Sequence, residues 1–460
     1  MHDNSLHIDL GQDLSSNEIV SISEKGLYQN MLITGAIGSG KTSSAMYPIT
    51  RQLIAYKSSN LHEKLGMLIL DVKGNYIYQV ENYAKLYNRE KDIIPIQISG
   101  EFKYNPLDNI ALKPTVLANR LKTILLLFSP NNTESYWIDK SETVLAEAIK
   151  LCRLYNNGYV TFKEIHNLIT SHDYYSDKIN ILRSKFLKSK FSFDQNYDLL
   201  SALNFFEKEF FSLDSRTFNI LKSEITRITS CFVSDSDVLK TFCPEKSKNN
   251  FPGFQSIIES GKIVILNMNI NEYKNLSRII AAYLKLDFQT EVLRRLSANN
   301  KTIHPVAFIS DEYSEYVSAT DANFFSQSRE AKCINIISTQ SYTSLLNALN
   351  NKYSVEVIVQ NLVNKLWFRS DDMFTIEDAQ KQLRKNRCRK NFKNHIRKCK
   401  GDILQLYHAF ITIKKFQYFR KYKYLYTTRL WIRYQFLFSK SKHIRMSIIY
   451  IWWQKNPSTN

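Results

Sequence analysis

Ten residues, GAIGSGKTSS from Gly35 to Ser44, constrain this chain more than any other stretch. They follow a short apolar run, NMLIT, and lead into a segment of helical character from Thr42 to Tyr56. Gly35, Gly40, Lys41 and Thr42 satisfy G-x-x-x-x-G-K-[ST], and strand, loop, helix is the context in which that pattern holds phosphate. The glycines let the backbone curl until successive N–H groups converge on an anion. Gly35, Ala36, Ile37, Gly38, Ser39, Gly40, Lys41, Thr42 and Ser43 are therefore expected to cradle a nucleoside triphosphate. Lys41 would reach the β- and γ-oxygens and Thr42 would hold Mg2+ through its hydroxyl. The alternative is a chance glycine-rich turn ahead of a helix, and the apolar run before it weighs against that.

Six further runs have the length and composition of strands buried on both faces. They are Gly66–Asp71, Ile93–Ser99, Lys262–Met268, Pro305–Glu312, Cys333–Thr339 and Asn364–Ser370. Helical stretches, such as Leu276 to Leu296, separate most of them, so a doubly wound, mainly parallel α/β sheet is expected. No strand pattern is visible from about Leu112 to Asp237. Apolar residues there recur at helical spacing in TVLANRLKTILLLF, SETVLAEAIKLCRLY and FNILKSEITRITSCF, which predicts an all-helical insert between the third and fourth strands. The polar stretch Ser171–Asp198 reads as its surface loops. No internal repeat is found.

Five further residues are candidates for chemistry. Asp311 and Glu312 end the run VAFISDE, and strand C-termini in open α/β sheets are where ligands bind. Asp311 would orient Mg2+ and its waters, and Glu312 would act as general base on the attacking water. A strand-end Asp capping the next turn is the bland alternative. Gln340, after IIST, is placed to sense the γ-phosphate or is an ordinary loop residue; spacing leaves both open. Arg329, in SQSREAKC, reads by itself as a solvated surface cation. Asp71, in ILDVKGN with Lys73, reads equally as a site residue or a turn former.

The six cysteines form no close pair, which argues against a disulfide framework or zinc site and for reduced thiols. The N-terminus MHDNSLHIDLGQDL has no basic start or apolar run, and no stretch reaches the length of a membrane span. The formal net charge of +19 is unevenly placed. Residues 383–460 hold 20 Lys and Arg against one acid, Asp402, whereas residues 1–382 balance at 42 of each sign. The tail also carries Phe416, Tyr418, Phe419, Tyr422, Tyr424, Tyr426, Trp431 and Tyr434. Three readings stay open for it. It tracks single-stranded nucleic acid through cations and stacking rings; it attaches to anionic membrane through its charge and Trp452 and Trp453; or it is the product of a shifted or truncated reading frame.

Taken in order, these motifs resemble the type IV coupling proteins, the ATPases of conjugative DNA transfer within the FtsK-like translocase superfamily. GAIGSGKT comes first. ILDVKGN is similar to the family's Asp-Pro-Lys-Gly strand end, with Val72 in place of Pro. YNPLD, ESYWIDKSETVLAEAI, AAYLKLDFQ, FISDE, SQSREAKC and ISTQS follow, and the likeness covers roughly residues 10–380.

The resemblance implies a RecA-like P-loop domain over 21–111 and 238–382. The all-helical stretch fits an insert domain over 112–237, with an N-terminal segment 1–20 before the nucleotide-binding domain; the basic tail 383–460 departs from the family's pattern. It places Arg329 on a trans-acting arginine, Gln340 on a γ-phosphate-sensing glutamine, and Asp311 and Glu312 on the acidic pair. It implies ATP and Mg2+, a homo-hexamer with nucleotide between neighbours, and single-stranded DNA with bound relaxase as cargo. It further implies secretion-channel components as partners and a cytoplasmic location at the inner face of the cell membrane. Many family members begin with transmembrane helices that this sequence lacks, so docking would fall to a partner or to peripheral membrane contact. The rivals are a related helicase or packaging motor and a non-catalytic nucleotide-binding adaptor.

Overall fold

The computed structural model describes residues 5–13, 17–128, 135–188, 192–297, 303–388 and 448–450. The chain opens with an antiparallel hairpin, β1 (His7–Gln12) and β2 (Ile19–Ser23), bulged between Asp9 and Gly11. A short helix α1 (Glu24–Leu27) leads to β3 (Met31–Thr34), the phosphate-loop region, a π-helical turn (Thr42–Met46) and α2 (Tyr47–Ala55). Next come β4 (Gly66–Leu70), α3 (Tyr76–Leu86) and β5 (Ile93–Ile96).

Among the described residues, every regular element from β5 to the next strand is helical. These are α4 (Pro114–Leu127), α5 (Ser135–Tyr155), α6 (Phe162–Thr170), α7 (His172–Lys188), α8 (Phe193–Asn204), α9 (Ser215–Val233), α10 (Ser236–Phe242) and α11 (Gly253–Glu259). The sheet then resumes with β6 (Ile263–Leu266), α12 (Ile270–Arg294), β7 (Val306–Ser310), α13 (Asp321–Gln327) and β8 (Cys333–Thr339). It closes with α14 (Tyr342–Leu349), α15 (Lys352–Asn361), β9 (Asn364–Trp367) and α16 (Met373–Cys388).

The main sheet is parallel in the order β9-β3-β8-β7-β4-β6-β5, and Ile448–Tyr450 (β10) adds to its β9 edge. Its strands are the continuous apolar runs because both faces are covered. Leu32, Leu68, Leu70, Val264, Leu266, Val306 and Phe308 point to one side. There they share a single core with α12 and the helices between β5 and β6. Met31, Ile33, Met67, Ile69, Ile263, Ile265, Ala307 and Ile309 point the opposite way, toward α2, α3 and the β1–β2 hairpin. The two-residue alternation of a strand thus splits one apolar run between two cores.

Some expectations need correction. Ser171–Asp198 is not a set of surface loops: α7 and the start of α8 occupy most of it. Its polar composition hides one apolar stripe, Tyr175, Ile179 and Leu182, which is buried at helical spacing and outweighs the weak local propensity. The N-terminal segment, whose sequence shows no apolar run, contributes Leu6, Ile8 and Val20 to the second core, and Ile22 follows them. The helix expected from Leu276 begins at Ile270 and is broken at Lys274, whose φ of 45° and ψ of −121° are non-helical. The third strand stops at Ile96 and the last at Trp367, short of the runs that suggested them. Helix α16 continues to Cys388, past the composition change at residue 383. Most of the basic aromatic tail lies outside the described residues. Among those described, no helix is long and apolar enough to cross a membrane.

Candidate active site

Strand register brings the expected residues to one edge of the sheet. β8 lies between β3 and β7, with Thr34 opposite Thr339 and Ser310 opposite Ile337. The phosphate loop after β3 and the Asp311–Glu312 pair after β7 therefore flank the end of β8. That strand runs two residues beyond β7, which sets Ser338 beside Asp311.

The loop is shaped by its glycines and by the neighbouring strand end. Gly38 and Gly40 have φ of 72° and 94°, a region that other side chains enter only with strain. Ala36 N–H donates to Arg369 O at 2.7 Å, fixing the loop to the chain after β9. Gly35 packs directly on Phe368, so a Cβ there would meet Phe368 Cβ at 2.4 Å. Gly35→Ala is accordingly expected to displace the loop. It should weaken nucleotide binding at least about tenfold and cost about 1–3 kcal/mol of stability, read by ligand titration and thermal melting.

Lys41 is 5 % exposed and donates to Gly35 O at 2.6 Å and Ala36 O at 3.4 Å, with Glu312 Oε1 at 3.9 Å. Burial lowers its pKa, against the opposing pull of Glu312 and Asp311. Thr42 Oγ1 donates to Asp311 Oδ2 at 2.9 Å. Asp311 is buried; its Oδ1 accepts from Ser338 Oγ and, at 3.1 Å, from Glu312 N–H. Ser43 Oγ points back to Gly40 O at 3.4 Å, and the buried Ser39 Oγ has no partner. Ile37 is 76 % exposed at the loop tip.

Glu312 sits in the left-handed region, φ 48° and ψ 51°. This strain, held by its N–H bond to Asp311, turns the carboxylate toward Lys41. Burial raises the Glu312 pKa and Asp311 adds to that, while Lys41, Lys73 and the Gln340 amide oppose it. Oε2 of Glu312 is buried and makes no hydrogen bond. Gln340 thus shares the site with the phosphate loop and the acidic pair.

Arg329 does not. It is exposed in the turn before β8, at the opposite edge of the sheet from its own chain's loop. The seven residues of β8 separate it from Gln340, a span of about 23 Å. Asp71 proves to be a turn former: its carboxylate accepts the N–H groups of Lys73 at 3.1 Å, Asn75 at 2.9 Å and Tyr76 at 3.0 Å.

Two neighbours of the site had no strong sequence signal. Ser338 is one serine in an apolar strand, and only the β7–β8 register reveals its carboxylate partner. Lys73 shared its motif with Asp71, but only the turn that Asp71 closes shows why a lysine two residues on acts on both Lys41 and Glu312.

No family model matches the sequence, and no curated protein matches it. Solved structures do. The bacterial conjugative coupling protein TrwBdeltaN70, in its unbound monoclinic form, aligns over 83 % of this chain and 76 % of its own, with a TM-score of 0.51 and 12 % identity. TrwB in complex with the non-hydrolysable GTP analogue GDPNP aligns over 81 % and 78 %, at 0.52 and 12 %. TrwB in complex with ADP and Mg2+ aligns over 77 % and 75 %, at 0.50 and 13 %. At such identities the likeness is one of fold. This chain has the RecA-like P-loop fold of the type IV coupling proteins.

Proposed function

We propose that this chain is an ATPase of the type IV secretion class that moves DNA toward the secretion channel as a homo-hexameric ring. The observation that carries the reading is the bond between Thr42 and Asp311 at 2.9 Å, with Lys41 and Glu312 beside it, inside a fold shared with TrwB. A hydroxyl and a carboxylate in contact at the mouth of a glycine cradle suit Mg2+, and ATP suits the cradle. Bound there, Mg2+ would offset the charge on the phosphate oxygens.

The chain's own groups do the rest. The N–H groups of Gly35–Thr42 cradle phosphate. Lys41 exchanges its bonds to Gly35 O and Ala36 O for phosphate oxygens. Ser338 holds Asp311 in orientation. Glu312 takes the proton of the attacking water, and its partnerless Oε2 is free to do so. Gln340, beside this carboxylate, would register the γ-phosphate. Arg329 faces away from its own site and would complete the site of a neighbour, as an arginine finger does. Single-stranded DNA with bound relaxase is the cargo that fits the resemblance, with channel proteins as partners and the inner face of the cell membrane as the workplace.

Steady-state ATP hydrolysis by the full chain, with and without single- and double-stranded DNA, tests the reading. Strong stimulation by DNA is expected. Hydrolysis indifferent to both forms would oppose a DNA motor.

A further inference from the structure

Asn335 is an anomaly of the sheet. It is the third residue of β8, fully buried within the run CINIIST, where the pattern calls for an apolar side chain. A buried amide is tolerated only when its hydrogen bonds are made. Asn335 Nδ2 makes two: to Asn30 Oδ1 at 2.6 Å and to Ser328 Oγ at 3.0 Å. Asn30, buried and in the left-handed region at φ 60°, donates in turn to Phe325 O at 3.1 Å and Asn361 O at 3.0 Å. Ser328, fully buried, donates to Phe325 O at 3.2 Å. Three buried side chains thus tie together the start of β3, the start of β8 and the C-terminus of α13.

The residue after Ser328 is Arg329. Its turn is closed by Lys332 N–H to Arg329 O at 3.1 Å and Cys333 N–H to Ser328 O at 3.0 Å. Arg295 reaches Ala331 O from behind. The backbone on both sides of an exposed arginine is therefore pinned into the core, an arrangement that a solvated surface cation does not need. The knot also shares β3 with the phosphate loop and β8 with Ser338 and Gln340, although it lies at the far end of both strands.

We propose that Asn335, with Asn30 and Ser328, is the positioning group of Arg329, holding that arginine rigid for insertion into the nucleotide site of an adjacent copy. The inference rests on the trans role given to Arg329 above. It adds that a buried amide knot in one subunit sets the turnover rate of its neighbour. The knot touches no nucleotide, and the phosphate loop of its own chain is at the opposite sheet edge. Its loss therefore lowers kcat without loosening ATP binding.

The test uses full-length chains and subunit mixing. Asn335→Ala alone is expected to bind ATP within about twofold of the unaltered chain, with kcat at least about tenfold lower; Arg329→Ala should lose a thousandfold or so. Each is then mixed with Lys41→Ala, which lacks a working site of its own but offers an intact Arg329. In a head-to-tail ring, about one interface in four of an equal mixture pairs a sound site with a sound arginine, so activity should reappear in both mixtures. A merely structural role for Asn335 would not be rescued by a partner. If Arg329→Ala is rescued and Asn335→Ala is not, the positioning role is overturned and the trans arginine stands. If neither is rescued, the trans arginine falls and takes the inference with it. Should Asn335→Ala fail to fold, Ser328→Ala, which removes only a hydroxyl from the same knot, decides between the same outcomes.

Discussion

Glu312→Gln is expected to lower ATP turnover about a thousandfold while leaving ATP binding intact, the loss typical of removing a general base. The substitution keeps the size of the side chain and removes only its basicity. Lys41 keeps its bonds to Gly35 O and Ala36 O, and Thr42 keeps Asp311, so the loop's shape survives. Single-turnover hydrolysis beside equilibrium binding of ATP separates the two effects. Unchanged hydrolysis would remove Glu312 from the chemistry; loss of binding would make it a structural partner of Lys41 instead. The pH profile carries a signature as well. Burial raises the pKa of this carboxyl, and a base works only when ionised. The acid limb of kcat should therefore fall off at a pH above the ordinary glutamate range, and be absent from the residual activity of the glutamine variant.

The largest loss of stability is expected from Asp321→Ala. Lys285 and Asp321 form an ion pair at 2.6 Å in which neither side chain is more than 1 % exposed. Lys285 Nζ also donates to Tyr316 O and Ser318 Oγ, and Asp321 accepts from Gln289, Tyr313 Oη and Ser318 N–H. This network holds the segment between Glu312 and α13 against α12. Removing the carboxylate strands a buried ammonium, which costs about 3–5 kcal/mol. Denaturant unfolding should show the fall. Replacing both partners by apolar residues, Lys285→Met with Asp321→Leu, should recover only part of the loss: the pair's desolvation goes with its attraction, but Gln289, Tyr313 Oη, Ser318 N–H and Tyr316 O each lose a partner. A loss below 1 kcal/mol for Asp321→Ala would mean that water reaches the pair.

The sheet was legible because its strands are buried on both faces. A strand such as GMLIL has no polar residue to confuse with a loop, and the phosphate loop fixed where the first strand ends. Helices α7 and α8 were not legible, since their few apolar contacts sit among Lys, Asp and Ser. The β1–β2 hairpin was hidden for a related reason: only one of its faces is covered. In the site, residue types with a single chemical use stood out, as Lys41, Thr42, Asp311 and Glu312 did. Ser338 and Asn335 did not, because their meaning lies in strand register, nor did Lys73, which is placed by the turn that Asp71 closes. Nothing local to ISTQ shows that its serine lies against Asp311, or that an asparagine three residues earlier reaches Ser328. Asp71 was ambiguous by type and is resolved by the three N–H groups around it.

If ATP cleaved between these residues moves DNA, the full chain displaces a third strand from a DNA triplex only when ATP is present, and Glu312→Gln abolishes that displacement. Brisk ATP hydrolysis with no displacement on any DNA would rule out a DNA motor.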